Sequence, residues 1–242
     1  MKTRTIPVAE IFGPTIQGEG PYAGGRCFFV RVGGCDYRCS WCDTDYAVDP
    51  AQVRKLPRMS APEIAAQLVV CGIQEGDVVI LSGGNPALHE LDTLLDYLAP
   101  FKVHVETQGS LYKSWLTRCE LVVVSPKPPS SGMATAKHEE QTVRFVELLG
   151  HKNPFWILKY VAFDDADLDW AVRMRELLDP LHERQVYISA GTTQLTDARE
   201  IKEAVTDRWA WLCEEALRRK DMRDFRLGLQ LHVLAWGAAR GV

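Results

Sequence analysis

The sequence has no excess of basic residues, because 28 Lys and Arg stand against 32 Asp and Glu in 242 residues. Proteins that bind nucleic acid directly rely on clustered Lys and Arg, and no such stripe is present. No apolar run approaches the roughly 20 residues that span a bilayer, and the N-terminus lacks the apolar stretch of a secretion signal. These absences predict a cytoplasmic protein without a direct nucleic-acid or membrane partner.

The chain also lacks the features of a disulfide scaffold and of a multidomain protein. Its seven cysteines are an odd number in a long chain, and without a secretion signal we expect them to stay reduced. There is no internal repeat, and the Pro/Ser/Gly-rich loop at residues 126–132 is too short to link two domains. We therefore expect a single domain over residues 1–242, large enough to bury a substantial core.

What the sequence does contain is an alternation of strand-like and helix-like runs. Short runs that are apolar on both faces predict strands at residues 27–33, 78–81, 103–106, 121–125, 156–161 and 186–189. Helices are predicted at residues 61–71, 88–98, 139–148, 166–178 and 197–220. Repeated strand-then-helix order is typical of a parallel sheet covered by helices, so we expect an α/β layer architecture or a partial barrel.

Polar or glycine-rich segments follow the first four predicted strands. They are the cysteine loop at residues 35–42, Ser-Gly-Gly-Asn-Pro at 82–86, Glu-Thr-Gln-Gly at 106–109 and Ser-Pro-Lys at 125–127. Each segment alone is ordinary turn chemistry. Because ligands gather at the carboxyl ends of parallel strands, the shared register of these segments predicts one binding mouth.

The cysteine loop carries the most specific signal, with Cys35, Cys39 and Cys42 at a three-then-two spacing. Three thiolates from one loop suit three corners of a [4Fe-4S] cluster and leave the fourth iron open for a substrate or cofactor. One alternative is a structural zinc site, which normally has four closed ligands, but no second cysteine pair follows at finger spacing. A non-enzymatic Fe–S electron carrier is another alternative, although it gives no reason for the glycines at residues 83 and 84.

The cysteine loop and the Gly-Gly strand end together resemble the radical S-adenosylmethionine enzymes. Further matching segments lie at residues 15–20 (Thr-Ile-Gln-Gly-Glu-Gly), 29–35, 41–44 (Trp-Cys-Asp-Thr), 106–109, 125–127 and 229–232. From about residue 8 to residue 235, the sequence resembles the 7-carboxy-7-deazaguanine synthase family of queuosine biosynthesis. The resemblance implies a partial (β/α) barrel with an N-terminal hairpin, a homodimer, and a small electron donor such as a flavodoxin.

The chemistry that this resemblance implies is a ring contraction. A 5′-deoxyadenosyl radical, formed from S-adenosylmethionine at the cluster, takes a hydrogen atom from C6 of 6-carboxy-5,6,7,8-tetrahydropterin. Rearrangement and loss of ammonia give 7-carboxy-7-deazaguanine, S-adenosylmethionine is regenerated, and a Mg²⁺ ion lies near the substrate carboxylate. An activating enzyme that makes a glycyl radical on a partner protein shares the cysteine loop, but it leaves residues 17–20 and Arg31 unexplained.

The resemblance also assigns site residues. The residues expected to bind the pterin are Ile16, Gln17, Gly18, Glu19, Arg31 and Ser82. Those expected to bind S-adenosylmethionine are Gly83, Gly84, Ser125, Pro126, Lys127 and Ser189. The expected cluster ligands are Cys35, Cys39 and Cys42, and the Thr44 hydroxyl is the expected Mg²⁺ ligand.

Several of these residues have a simpler structural interpretation. Arg31 lies in an apolar strand, where its guanidinium either binds a ligand carboxylate or forms an internal ion pair. Thr44 and Lys127 are equally typical of turns, and His232 is expected to pack or to line the substrate edge rather than to bind a metal. Residue 85 is Asn where the family usually has Glu, so we expect any contact with the cofactor ammonium to be weaker.

Overall fold

The computed structural model describes residues 4–150, 155–192, 198–237 and 239–242, with residues 198 and 199 described by their backbone alone. Within these ranges the strands are β1 (Thr5–Ile16), β2 (Arg26–Val32), β3 (Arg58–Ser60), β4 (Val78–Gly83), β5 (Lys102–Thr107), β6 (Leu121–Val124), β7 (Phe155–Ala162), β8 (Val186–Ala190) and β9 (Phe225–Gly228). The α-helices are α1 (Asp45–Val48), α2 (Pro50–Val53), α3 (Ala61–Val70), α4 (Asp92–Tyr97), α5 (Ala136–Leu149), α6 (Asp165–Leu178), α7 (Ala198–Arg218) and α8 (Leu231–Trp236). Among the described helices, none combines the length and the apolar character of a membrane span.

All of these strands belong to one sheet, in the order β3-β1-β2-β4-β5-β6-β7-β8-β9. Every neighbouring pair from β2 to β9 is parallel, whereas β1 is antiparallel to both β2 and β3. The described strands do not close into a full barrel, because β3 and β9 form the two edges of the sheet. The predicted α/β fold is therefore confirmed as a partial barrel with an N-terminal antiparallel hairpin.

The predicted strands correspond to β2 and to β4 through β8, but one parallel strand was missed. The sequence predicts a helix over residues 197–220, of which residue 197 lies outside the described residues, and no strand after it, whereas β9 joins the sheet beside β8. Such a short strand carries little periodic signal, and it forms because β8 offers it a ladder. The helix predicted at residues 88–98 also begins too early, since a 3-10 turn occupies Pro86–Leu88 and α4 begins at Asp92.

Local sequence explains where the main helices begin. α3 begins after a capping box, in which the backbone N–H of Ser60 donates to Glu63 Oε2 at 2.7 Å. α5 and α6 begin after Thr135 and Asp164, whose side-chain oxygens accept the backbone N–H of the third helical residue. These caps fix the positions at which helices begin after β3, β6 and β7.

The inner face of the partial barrel changes from apolar to polar along the strands. Leu121, Val123, Ile157 and Tyr187 form a small buried cluster on this face, while a larger core packs helices against the opposite face. Because side chains alternate along a strand, the residue two positions beyond Ile157 on the same face is Lys159. The sheet therefore collects charged and polar side chains above an apolar floor, at the carboxyl ends of its strands.

Candidate active site

Two adjoining cavities open at the carboxyl ends of the strands. The first, about 210 Å³ in volume, is lined by the cysteines of residues 35–42 and by the ends of β4 to β7, and we call it the thiol cavity. The second, about 430 Å³, extends to β1 and to residues 239–242, and we call it the hairpin cavity. Glu19, Arg31 and Ser82 line both, so the two cavities are compartments of one mouth.

Most of the predicted site residues line this mouth. Those on the thiol cavity are Glu19, Arg31, Cys35, Cys39, Cys42, Thr44, Ser82, Gly83, Gly84, Ser125 and Lys127. Those that the hairpin cavity adds are Ile16, Gln17 and Gly18. Pro126 and Ser189 are buried outside both linings, and Ser189 Oγ donates to Glu19 Oε1 at 2.9 Å.

The Gly83-Gly84 strand end packs directly against the start of the cysteine loop. A Cβ on Gly84 would lie 1.9 Å from Gly34 O, and one on Gly83, whose φ is +115°, would lie 2.3 Å from Val32 O. The backbone N–H of Asn85 also donates to Gly34 O at 2.7 Å. Gly83 is therefore required by the close approach of β4 to the end of β2, and Gly84 by its close approach to the start of the loop; their contact with a cofactor stays a prediction.

The three thiols face a shared space but do not converge on one point. Within the part of the chain that the structure describes, no three His, Cys, Asp or Glu side chains are arranged to hold a single metal ion. A cubane cluster does not need that convergence, because each thiolate binds a different iron, so the donor set fits a cluster better than a structural zinc ion. Burial raises the pKa of Cys39 to about 11 and raises the pKa of Cys35, with the Lys127 ammonium opposing both shifts. Iron binding would therefore release protons from these thiols.

Arg31 forms an internal ion pair and still faces the mouth. Its Nε donates to Glu10 Oε2 at 2.9 Å, and the same oxygen accepts the Tyr46 hydroxyl at 2.8 Å. Within the described residues, neither terminal nitrogen of the guanidinium has a hydrogen-bond partner. The ion pair that the sequence left as an alternative is thus present, and it leaves the outer end of the planar fork free for a carboxylate.

A group of charged and amide side chains, which we call the Lys159 cluster, lies between the two cavities. Lys159 Nζ lies 2.9 Å from Glu19 Oε2 and 3.4 Å from Glu106 Oε2, and its side chain is only 8% exposed. Gln17 Nε2 donates to Glu106 Oε1 at 3.0 Å, and Gln230 Nε2 donates to Glu19 Oε1 at 3.1 Å. With one ammonium between two carboxylates, the cluster favours ligand groups that donate hydrogen bonds.

The Lys159 cluster shifts the pKa values of its members. Burial acts to raise the pKa of Glu19, but the Lys159 ammonium, His232 and the hydrogen bonds from Lys159 and Ser189 outweigh it and lower this pKa to about 2. Burial acts to lower the pKa of Lys159, but Glu106 and Glu19 outweigh it and hold that pKa above its usual value. Glu19 and Lys159 are therefore both charged at neutral pH.

We expect acid to destabilise the protein through Glu19. The pKa of this carboxyl falls from its ordinary value of 4.5 to about 2 on folding, so the unfolded chain takes up the proton first as the pH decreases. The stabilisation is complete above pH 4.5 and is lost progressively towards pH 2, in all about 3 kcal/mol at about 1.4 kcal/mol per pKa unit. Glu19→Gln should flatten the dependence of the unfolding free energy on pH, measured by urea denaturation between about pH 5 and about pH 3. Equal slopes in the two proteins would contradict this assignment.

Thr44 lies where the two cavities meet. Its hydroxyl donates to Asp43 Oδ1 at 3.0 Å and lies 3.8 Å from Cys42 Sγ. Both Thr44 and Asp43 line the thiol cavity and the hairpin cavity. Because Mg²⁺ keeps several of its waters and needs only one or two protein oxygens, this hydroxyl and carboxylate are compatible with a Mg²⁺ site.

Sequence reasoning overlooked three residues of the site. Lys159 lies in an apolar predicted strand, where an unpaired charge is costly to bury, so its position carries the same signal as that of Arg31. Gln108 belongs to a segment predicted to line the mouth, but its residue type alone indicates no role. Asp36 carried no signal of its own, because its partners come from residues far away in the sequence.

Comparison with known proteins identifies the family, although no protein-family model matches the chain. The sequence is 38% identical to 7-carboxy-7-deazaguanine synthase from Bacillus cereus, over 98% of this chain and 99% of that protein. It is 35% identical to 7-carboxy-7-deazaguanine synthase from Bacillus subtilis, over 98% of each chain. The crystal structure of QueE from Escherichia coli, 22% identical in sequence, superposes with a TM-score of 0.65 over 94% of this chain and 95% of that one, which supports the fold. The chain therefore belongs to the 7-carboxy-7-deazaguanine synthase family.

Proposed function

We propose that the protein is a carbon–nitrogen lyase that converts 6-carboxy-5,6,7,8-tetrahydropterin to 7-carboxy-7-deazaguanine with release of ammonia, in queuosine biosynthesis. The observation that carries this proposal is the similarity of nearly the whole chain to named members of the family. The mouth supports it, because thiols at cluster spacing and Arg31 line the same cavity. A radical generated at the cluster would thus meet a small substrate that carries a carboxylate.

The cofactor side of the mouth would be built by the cysteine loop and the facing strand ends. A [4Fe-4S] cluster and S-adenosylmethionine, when bound, supply the adenosyl radical that takes the hydrogen atom from C6. We propose that Cys35, Cys39 and Cys42 hold the cluster as thiolates. The residues proposed to contact S-adenosylmethionine are Gly83, Gly84, Ser125, Pro126, Lys127 and Ser189. Lys127 Nζ donates to Ser125 Oγ at 3.1 Å, and this hydrogen bond orders the two side chains on the cavity wall.

The substrate carboxylate would bind between β2 and β4. Arg31 and Ser82 are paired in the parallel register of these strands. Ser82 Oγ is buried and has no hydrogen-bond partner within the described residues, which suits a group whose partner is a ligand. We propose that the terminal nitrogens of Arg31 and the hydroxyl of Ser82 orient the pterin by its carboxylate.

The opposite edge of the pterin would face the end of β1. The pyrimidine edge of a pterin presents N–H donors, and ionised Glu19 is a matching acceptor, with Ile16 and Gln17 beside it on the hairpin cavity. Gly18 allows the wall to close, because a Cβ there would lie 1.8 Å from His232 Nδ1. His232 lies against Gly18 on the wall of the hairpin cavity, and we propose that it packs at the substrate edge.

We also propose that Thr44 binds Mg²⁺ beside the substrate carboxylate. Removing the hydroxyl by Thr44→Val should weaken the binding of Mn²⁺, used as a paramagnetic substitute for Mg²⁺, by at least about tenfold, since even outer ligands of a metal contribute this much. Electron paramagnetic resonance titration of the protein with Mn²⁺ measures the affinity. The matched control is Thr117→Val, an exposed threonine away from the mouth. Unchanged Mn²⁺ affinity in Thr44→Val would assign this hydroxyl to the turn alone.

The test of the proposed function is anaerobic incubation of the reconstituted protein with dithionite, S-adenosylmethionine, Mg²⁺ and the carboxytetrahydropterin, followed by mass spectrometry. We expect 7-carboxy-7-deazaguanine to form. Cleavage of S-adenosylmethionine without this product would support the radical chemistry but exclude the carboxytetrahydropterin as the substrate. If the protein carries an intact cluster but does not cleave S-adenosylmethionine, the electron-carrier alternative is favoured instead.

By resemblance to the family alone, we further propose a homodimer and a small electron donor such as a flavodoxin, in the cytoplasm. We propose that residues 1–242 act as a single domain. Sedimentation equilibrium tests the dimer, since a molecular mass of 27.2 kDa would show a monomer. Reduction of the cluster by reduced flavodoxin in place of dithionite tests the donor.

A further inference from the structure

Asn85 directly follows the Gly83-Gly84 strand end, yet its side chain does not face the mouth. It is 0% exposed and lies outside the linings of the thiol cavity and the hairpin cavity. A buried amide must satisfy its polar atoms inside the protein, so the surroundings of Asn85 define what it does. The sequence predicts a weaker contact between this residue and a cofactor ammonium. At this position the side chain lies outside both cavities and is not placed to make that contact.

The amide of Asn85 makes four hydrogen bonds, which use both of its donors and accept at its oxygen twice. Oδ1 accepts the backbone N–H of Ala87 at 3.2 Å and the Thr107 hydroxyl at 2.9 Å. Nδ2 donates to Asp36 Oδ1 at 2.9 Å and to Ser110 Oγ at 3.0 Å. The orientation of the amide is fixed, because the N–H of Ala87 can only donate and must therefore meet the oxygen.

A second amide reaches the same carboxylate from the end of β5. Gln108 Nε2 lies 2.6 Å from Asp36 Oδ1 and 3.2 Å from Ser110 Oγ. The same nitrogen lies 3.8 Å from Cys35 Sγ. Two amides from two different strand ends therefore converge on Asp36, the residue that follows the first cysteine of the loop.

The side chain at position 85 is complementary to Asp36 in a way that a carboxylate cannot be. Asp36 accepts at one oxygen from both amides, and an acidic side chain at position 85 would have no N–H to donate to it. It would instead place a fully buried carboxylate about 3 Å from the exposed carboxylate of Asp36, and the two like charges would disfavour each other. Asn is therefore the residue that lets β4 tie down the cysteine loop through Asp36.

We propose that Asn85 and Gln108 are positioning residues that clamp Asp36, and through it Cys35, in the geometry that the cluster requires. The inference rests on the proposed cluster and goes beyond it, because it assigns a role to a residue outside the mouth. Gln108 has the additional role of donating towards the Cys35 sulfur. Hydrogen bonds to cluster sulfurs stabilise the more negative, reduced state and raise the reduction potential.

The first experiment compares Asn85→Asp, Asp36→Asn and the double variant, each reconstituted with iron and sulfide. The rate at which a chelator removes the cluster is followed by visible absorbance. We expect about 10–100-fold faster loss from Asn85→Asp, as for other groups that orient metal ligands. In the double variant, Asn at position 36 can donate to Asp at position 85, so the loss should slow to within about threefold of Asp36→Asn alone. A general packing defect would not be rescued by removing a charge from the loop.

The second experiment measures the midpoint potential of the cluster in Gln108→Glu. This nearly isosteric change removes the N–H that points to Cys35 and adds a charge, so the potential should become more negative. Gln67→Glu makes the same chemical change at an exposed position of α3 and should leave the potential unchanged. This measurement decides the role of the clamp even if Asn85→Asp does not fold.

The inference is overturned if the chelator removes the cluster from Asn85→Asp no faster than from the wild type. It is also overturned if the cluster in Gln108→Glu has the wild-type midpoint potential. It is also overturned if the double variant loses its cluster as fast as Asn85→Asp. A wild-type protein that binds no cluster would overturn the proposed function as well. If the wild type binds a cluster and forms the product, but the variants change neither the rate of cluster loss nor the midpoint potential, only the proposed clamp is overturned.

Discussion

Replacing Cys39 by alanine should leave the purified protein without a complete cluster and with no detectable formation of 7-carboxy-7-deazaguanine. Cys39 is the middle thiol of the loop and lines the thiol cavity with Cys35 and Cys42. Two remaining thiolates hold only two corners of the cube, which no longer fixes the orientation of the open iron. Iron and sulfide analysis after anaerobic reconstitution measures the first loss, and mass spectrometry of the product measures the second.

The matched control for Cys39→Ala is Cys71→Ser. Cys71 follows α3, away from the mouth, and is not part of either cavity lining. This variant should keep a full complement of iron and wild-type turnover. Full turnover in Cys39→Ala would exclude this thiol as a cluster ligand.

Lys159→Met should destabilise the folded protein by about 3–5 kcal/mol, the cost expected when one partner of a buried charge pair is removed. The Lys159 side chain is 8% exposed, and its ammonium lies between Glu19, which is 13% exposed, and Glu106. Without it, two carboxylates share a poorly hydrated site and repel each other. Urea denaturation of the protein without its cluster measures the change in unfolding free energy.

A double variant separates this electrostatic effect from loss of packing. In Lys159→Met/Glu19→Gln, one of the two carboxylates is neutral, so at least about 1 kcal/mol should be recovered relative to Lys159→Met. Lys102→Met, at the exposed start of β5, is the control and should change the unfolding free energy by no more than about 0.5 kcal/mol. If Lys159→Met is as stable as the control, the Lys159 cluster does not have the electrostatic role assigned to it.

The order of strands and helices was predictable because it depends on local patterns. Short runs apolar on both faces identify β2 and β4 to β8, and helical periodicity places the starts of α3, α5 and α6 within three residues of where they lie, at Ala61, Ala136 and Asp165. β9 escaped because it is short and because its stability comes from pairing with β8. Such a strand has no strong local preference that the sequence could reveal.

The sequence predicted most, but not all, of the residues that line the candidate site. The cysteine spacing and the resemblance place the thiols, Arg31 and the residues at the end of β1 in one mouth, and all of them line it. Pro126 and Ser189 are buried beside that mouth without lining it. For Arg31, the sequence left two alternatives, and the structure contains the ion pair with Glu10 while leaving the outer nitrogens unpaired among the described residues.

By itself, the sequence determined the fold class, the family and the chemical groups available at the mouth, since these depend on residue types and their spacing along the chain. Only the tertiary structure decided which distant groups meet. The meeting of Lys159 with Glu19, and of Asn85 with Asp36, joins residues separated by 140 and 49 positions. The contact of Asn85 with Asp36 arises because β2 and β4 are parallel neighbours, so that their carboxyl ends lie side by side. Glu19 instead follows β1, which is antiparallel to β2, and it reaches Lys159 from the connection between these two strands. The pKa of Glu19 and the clamp on the cysteine loop therefore follow from contacts between segments that are distant in the sequence rather than from any local motif.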